Sequence, residues 1–320
     1  MYGEKHFTLS ETEKMSLLTL AKSYDRNMRL YYDTDKVINE ILPEIRKIIP
    51  ADILSVIKDM KNGSGPELIT IGNLPVDDHL PDAESLEQKV AEKTRVSETC
   101  LVGINALLEG KFQEEKSSHQ LGFIHQVTPV KKFLGEASGR GGGSIPFHAE
   151  NMFVDKNPSI LSLFCLQGEA GVETEYLYVS DIIKYLDKET LEVLKRPIFT
   201  IVSGDGFDRK YLYKASVLDH READWRVCRF YEEDRIFSDY KEGTDAVEKL
   251  HHAINRARDK DLKSVELSGG TLLLFSNATR KNHHGGVLHG RRGDMSIKRS
   301  PEKKSGQRWL QRVCVELAYH

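Results

Sequence analysis

Two metal-binding side chains stand one residue apart in the stretch Ser144-Ile145-Pro146-Phe147-His148-Ala149-Glu150. Side chains two apart on an extended chain project to the same face, so the His148 imidazole and the Glu150 carboxylate converge there while Ala149 turns away. Two imidazoles and one carboxylate on one face of an iron ion leave neighbouring coordination positions for a cosubstrate and dioxygen. The third ligand has to come from elsewhere, and a His-x-Glu triplet alone often arises by chance. Three histidines, His283, His284 and His289, fall within seven positions of a polar loop that follows the apolar stretch 271–275. They suit a metal site, but histidines in such a loop are also expected to be solvated, and the choice among the three stays open.

Anion chemistry is suggested further on. Arg308 and Arg312 lie four apart in Gln307-Arg308-Trp309-Leu310-Gln311-Arg312-Val313-Cys314-Val315, which reads as a strand, so both take one face. Guanidinium forks pair with carboxylates, which points to two carboxylate-bearing small molecules or one dicarboxylate; a solvated face is the plain alternative. Between Arg280 and Arg312 ten Lys or Arg stand against Asp294 and Glu302, a density that would also suit nucleic acid. Trp309 is the one aromatic residue there. Grooves for nucleic acid interleave aromatics with basic residues, so small anions are the better reading.

The elements that must position these groups are legible from the rest of the chain. Its 320 residues, 39% hydrophobic and 30% charged, suffice for one full core, and 1–320 is read as a single domain. A net charge of -3 and a pI ≈ 6.5 give no general reason to expect nucleic acid or an anionic membrane as partner. Cys100, Cys165, Cys228 and Cys314 form no C-x-x-C pair and accompany no secretory signal, which predicts free thiols and a cytoplasmic protein. No apolar run is long enough to span a membrane.

Ser10-Glu11-Thr12-Glu13 has the form of a capping box and opens a helix to about Tyr24. Val37, Ile38, Ile41, Leu42, Ile45 and Ile48 recur at helical spacing, with Pro43 as a kink or boundary. Residues 67–71 read as a strand, and 82–108 return to a helical pattern that stops near Gly110. From Leu121 onward, short apolar runs at 160–166, 197–202 and 271–275 read as strands, interrupted by helices over 180–195 and 246–262. This order predicts a mainly β fold with α. A double-stranded β-helix (jelly-roll) core with helical insertions spans 121–320, on a mainly helical support layer over 1–110.

Together, His148-Ala149-Glu150, Gly269-Gly270-Thr271-Leu272-Leu273-Leu274-Phe275-Ser276-Asn277, Leu288-His289-Gly290-Arg291 and Arg308-Trp309-Leu310-Gln311-Arg312-Val313 resemble one family. It is the clavaminate-synthase-like branch of iron(II)/2-oxoglutarate oxygenases, which includes hydroxylases of free arginine, asparagine and lysine. The resemblance runs in order from about Leu121 to the C-terminus, and more weakly through the N-terminal helices and the turn Gly72-Asn73-Leu74-Pro75-Val76-Asp77. It implies Fe(II) held by His148, Glu150 and His289, with 2-oxoglutarate as cosubstrate and O2 as co-reactant. It also implies that Arg308, supported by Thr174, pairs with the distal carboxylate of 2-oxoglutarate, and that Arg312 holds the α-carboxylate of an amino acid. The chain departs from the family in a longer loop from Asn277 to His289 and in the basic insert Arg299-Ser300-Pro301-Glu302-Lys303-Lys304. Of the three histidines only His289 is followed by Gly-Arg.

Phe230-Tyr231-Glu232-Glu233-Asp234-Arg235 falls near where related arginine hydroxylases carry the acids that bind the guanidinium. The resemblance thus implies Glu232, Glu233 and Asp234 as contacts to a cationic side chain, the alternative being a solvated turn balanced by Arg229 and Arg235. The implied activity is hydroxylation at the β or γ carbon of free lysine, arginine or a close relative, releasing succinate and CO2. Related halogenases lack the carboxylate that Glu150 supplies, so hydroxylation is the expected outcome. A zinc-type hydrolase with the same three ligands would have no task for Arg308 and Arg312, and a non-catalytic jelly-roll binding protein would consume no dioxygen.

Overall fold

Alternation along the strands decides the architecture. The computed structural model describes residues 3–24, 27–81, 86–114, 122–129, 139, 141–203, 211–291 and 308–318. A seven-stranded sheet has the order Glu4–Thr8, Leu68–Gly72, Thr271–Ser276, Ile160–Gln167, Trp309–Glu316 and Lys111–Phe112, with His125–Val127 also paired to Trp309–Glu316. A four-stranded sheet runs Lys263–Glu266, Glu173–Tyr178, Val287–Arg291 and Ile145–His148. Leu161, Leu163, Cys165, Leu273, Phe275, Leu310 and Cys314 of the first sheet share one buried cluster with Tyr176, Tyr178 and Val287 of the second. Ile160, Phe164, Leu166, Leu272, Leu274, Val313 and Val315 point the other way and join a cluster with helices. The period of two thus sends one set of side chains between the sheets and the other outward.

The outer face of the seven-stranded sheet is covered by N-terminal helices. Ser10 and Glu13 form the capping box of Glu11–Lys22, and Thr34–Ile48 buries Val37, Ile41 and Ile45 in the same cluster as Cys100, Leu101 and Ile104 of Val96–Ala106. Pro43 lies inside Thr34–Ile48 and does not end it. Ile41 and Ile45 on either side of it are 0% exposed, so packing outweighs a cost of about 3 kcal/mol for an interior proline. The expected helix over 82–108 is instead Leu86–Glu92 and Val96–Ala106. Between them Lys93 turns inward to Asp77 and Glu98, and an Asp77 carboxylate oxygen accepts from the backbone N–H of Ser97. The N-terminal part is also not helical alone: Glu4–Thr8, too short and polar to stand out, pairs in parallel with Leu68–Gly72 at the sheet edge.

Helices also cover the far side of the four-stranded sheet. The expected helix over 180–195 is divided into Val179–Ile183 and Lys188–Leu194, the second capped by Asp187 accepting from Thr190 N at 2.7 Å. Lys241–Asp261 buries Leu250, Ala253, Ile254 and Ala257 in one cluster with Leu177 and Leu288. Two small sheets flank this layer, one of Ile236–Ser238, Phe199–Val202 and Tyr211–Ala215, the other of Leu218–His220, Trp225–Cys228 and Thr279–Lys281. The long loop after Asn277 is therefore partly a strand, Thr279–Lys281, paired with Trp225–Cys228. Residues 82–85, Leu121, the insert 299–304 and Gln307 lie outside the described residues. Among the described residues no helix is long and apolar enough to cross a membrane.

Candidate metal centre

Antiparallel pairing sets His289 opposite His148, and their ring centroids are 4.3 Å apart. Directly opposed residues share a face. That face lies between the sheets, because Tyr176, which pairs with His289 on its other side, belongs to the inter-sheet cluster. The two strands can approach because residue 290 is glycine: a Cβ there would stand 2.8 Å from the Ile145 carbonyl oxygen. Nδ1 of His148 lies 2.8 Å from the Pro146 carbonyl oxygen. Donation to that carbonyl leaves Nε2 with its lone pair for a metal. Burial, aided by the nearby His148 and Arg312, holds the pKa of His289 well below the usual histidine value, so this ring is neutral and can ligate.

Glu150 is held differently. The strand ends at His148 and Glu150 sits in a turn, so an extended triplet does not describe this backbone. The side chain of Asn277 takes the place of the ladder. Its Oδ1 accepts from Glu150 N at 2.7 Å, and its Nδ2 donates to Glu150 O at 3.0 Å and Pro158 O at 2.9 Å. Asn151 then turns the chain away at φ 51, in the left-handed region that asparagine tolerates. Ala149 packs in the cluster on the other face. Glu150 Oε2 ends 3.9 Å from His148 Nε2 and 3.8 Å from His289 Nε2. Donor atoms of all three residues lie within 4.8 Å of one another, and among the described residues this is the one group of three or more His, Cys, Asp or Glu so placed. Its donor set fits a single divalent ion on one face. His283 and His284 lie elsewhere, with His284 Nδ1 facing Cys228 Sγ at 3.5 Å.

The arginines share the inter-sheet face. Arg308 directly precedes its strand, is 4% exposed like Thr174, and its Nη2 donates to Thr174 Oγ1 at 2.9 Å. Arg312 Nη1 is 2.7 Å from Glu150 Oε2, and its Nη2 meets Nδ1 of His125, the residue paired with it in register. The acidic triplet does not gather there. Tyr231 forms a bridge with His148 and its ring centroid is 5.6 Å from that imidazole. Glu232, one residue on, faces the opposite way: one oxygen accepts from Phe147 N at 2.9 Å and the other from Arg258 Nη1. Glu233 lies 3.5 Å from Arg235, and Asp234, its side chain 90% exposed, lies 3.9 Å from His251. The three acids thus have different partners, while Tyr231 of the same segment stands beside His148. His125, Asn277 and Arg291 were not singled out as site residues. Asn277 and Arg291 both carried a signal, since each lies in a motif that bears the resemblance; His125 carried none.

Comparison with protein-family models finds no match, and comparison with curated proteins finds none either. Solved structures do match. An asparagine oxygenase in complex with Fe(II), 2S,3S-3-hydroxyasparagine and succinate is 19% identical, with a TM-score of 0.74 over 98% of this chain and 93% of that chain. The non-heme iron oxygenase OrfP, in complex with Fe, succinate and (3S)-hydroxy-L-Arg, is 17% identical with a TM-score of 0.77 over 98% of this chain and 94% of that one. The same oxygenase with Fe and alpha-ketoglutaric acid gives 17% and 0.76, again over 98% of this chain and 94% of that one. At these identities the likeness is one of fold.

Proposed function

We propose that the chain is an iron(II)- and 2-oxoglutarate-dependent oxygenase that hydroxylates the β or γ carbon of a free L-amino acid, with release of succinate and CO2. The observation that carries this reading is the convergence of two arginines, Arg308 and Arg312, on the face that holds His148, Glu150 and His289. A zinc-type hydrolase has no task for two such guanidiniums, whereas a cosubstrate dicarboxylate and an amino-acid carboxylate each need one. The ligands held by the structurally similar oxygenases, iron with succinate and hydroxylated amino acids, are of this class. On this reading the two facing sheets are the double-stranded β-helix of a single domain, and the four buried free thiols suit the cytoplasm.

Ferrous iron with 2-oxoglutarate supplies the activation of dioxygen needed to hydroxylate an unactivated carbon. His148, Glu150 and His289 would hold the ion. Arg308, braced by Thr174, would take the distal carboxylate of the cosubstrate through a charge-assisted pair. Arg312, beside Glu150, would anchor the amino acid by its α-carboxylate, the end from which the β and γ carbons follow. Arg308 and Thr174 are each 4% exposed, and burial strengthens a charged pair made there. A cationic side chain, that of lysine, arginine or a close relative, is the specific reading for the substrate. Glu232, Glu233 and Asp234, in the segment whose Tyr231 ring stands 5.6 Å from the His148 ring, are the acids proposed to meet it.

A panel of free L-amino acids incubated with Fe(II), ascorbate and 2-oxoglutarate tests the proposal. The expected result is one substrate gaining a single oxygen by mass with matching succinate. Absence of succinate release across the panel, or hydrolysis supported by zinc, would overturn it. A neutral side chain preferred over lysine and arginine would remove the cationic reading alone.

A further inference from the structure

His125 is 3% exposed and stands opposite Arg312 in the register between His125–Val127 and Trp309–Glu316. Directly opposed residues on paired strands share a face, so the imidazole comes to the side on which Arg312 reaches Glu150. Arg312 Nη2 meets His125 Nδ1, and Arg312 Nη1 stands 2.7 Å from Glu150 Oε2. A guanidinium only donates, so Nδ1 must present its lone pair and the ring proton sits on Nε2. One planar fork is thus held at both of its terminal nitrogens, by an imidazole from the neighbouring strand and by a carboxylate of the metal centre. Fixing both nitrogens fixes the plane of the guanidinium.

The strand that carries His125 has only three residues and is braced on its other face. Gln126 pairs in register with Gln311; its Oε1 accepts from Trp309 Nε1 at 2.8 Å, and its Nε2 donates to the Tyr31 hydroxyl at 3.2 Å. Tyr31 is buried in the helical layer and its hydroxyl donates to the buried Glu98. Bracing of this kind presents His125 at a set place, which a side chain that orients another group requires.

Resting on the oxygenase reading and deepening it, we infer that His125 is a positioning residue for the amino-acid substrate, which holds the Arg312 guanidinium in the plane that meets the α-carboxylate. A fork-to-fork pair of guanidinium and carboxylate needs the two planes aligned. Loss of the imidazole acceptor frees that plane, so the cost falls on recognition of the carboxylate and leaves the metal and the cosubstrate in place.

The test is calorimetric titration into the full chain loaded with Mn(II) and 2-oxoglutarate, with each of those two titrated separately as well. The probes are L-arginine, L-lysine and L-asparagine, each beside its decarboxylated amine: agmatine, cadaverine and 3-aminopropanamide. His125→Phe keeps a ring without the acceptor, and His125→Asn puts an amide oxygen where Nδ1 stood. Wild type is expected to bind at least one of the amino acids more tightly than its amine. His125→Phe is expected to weaken that amino acid about tenfold and its amine, Mn(II) and 2-oxoglutarate by no more than about twofold, while His125→Asn recovers most of the loss. If His125→Phe does not fold, His125→Leu decides by the same criterion. An unchanged preference for the amino acid in the folded variant, no recovery in His125→Asn, or a parallel loss of Mn(II) and 2-oxoglutarate binding would overturn the inference. Wild-type protein that binds Mn(II) and 2-oxoglutarate but none of the three amino acids would overturn the amino-acid reading and this inference with it.

Discussion

The histidines and the carboxylate of the metal centre are held by different devices. His148 and His289 face each other across paired strands, and four register pairs to Glu173–Tyr178 hold the His289 strand on its other side. Glu150 lies past the strand end, and much of its main-chain support comes from one side chain, the fully buried Asn277. A ladder resists the loss of any one bond because its neighbours keep the register. A single buried amide has no such reserve, so the carboxylate side of the site should fail to remote mutation more readily than the imidazole side.

The largest effect comes from removing a ligand. His148→Ala, Glu150→Ala and His289→Ala are each expected to abolish metal binding and turnover, because two protein donors are too few for a labile divalent ion. Metal titration of each variant checks this, and retained iron and activity in His289→Ala would return the third ligand to His283 or His284. Arg308→Ala serves neither half of the comparison, so it should leave metal binding intact. It should raise the 2-oxoglutarate requirement by about 2 to 5 kcal/mol in apparent binding, because a buried carboxylate loses its charged partner; unchanged cosubstrate dependence would sink that role.

Asn277→Ala tests the comparison itself. It strips partners from the buried N–H and C=O of Glu150, at about 1 to 3 kcal/mol for each group left unsatisfied. Metal affinity is expected to fall with stability, even though no ligand has been touched. A variant that keeps wild-type metal affinity would show that the carboxylate does not depend on this clamp.

A smaller effect sharpens the imidazole half. Burial holds the folded pKa values of His125 and His289 well below the ordinary 6.5. Above about pH 6.5 both states are neutral at these groups and the contribution to stability is fully present. Below it the unfolded chain takes up protons that the folded chain refuses, so stability falls as pH drops, by up to about 1.4 kcal/mol per pH unit for each group. Denaturant unfolding between pH 7 and pH 5, without added metal, measures the slope, which should flatten in His125→Gln.

Much of the site was legible because its chemistry needs particular residue types. His148 and Glu150 announced themselves by spacing, and Arg308 and Arg312 by sharing a face. The convergence of His148 and Glu150 holds although Glu150 has left the strand, because the Asn277 side chain rather than a ladder holds its backbone. Pro43, a kink or boundary by local rules, lies inside the helix, where the packing of Ile41 and Ile45 outweighs it.

By itself the sequence determined the donor types, the apolar runs that become strands and the helical layer in front of them, since these depend on local periodicity and side-chain chemistry. Tertiary structure alone decided which loop histidine meets His148, that Asn277 reaches back 127 residues to hold Glu150, and that Arg308 reaches Thr174 across the sheets. Those are matters of register between strands far apart in the chain. A shift of one residue reverses every face in a strand, and no short stretch of sequence carries that information.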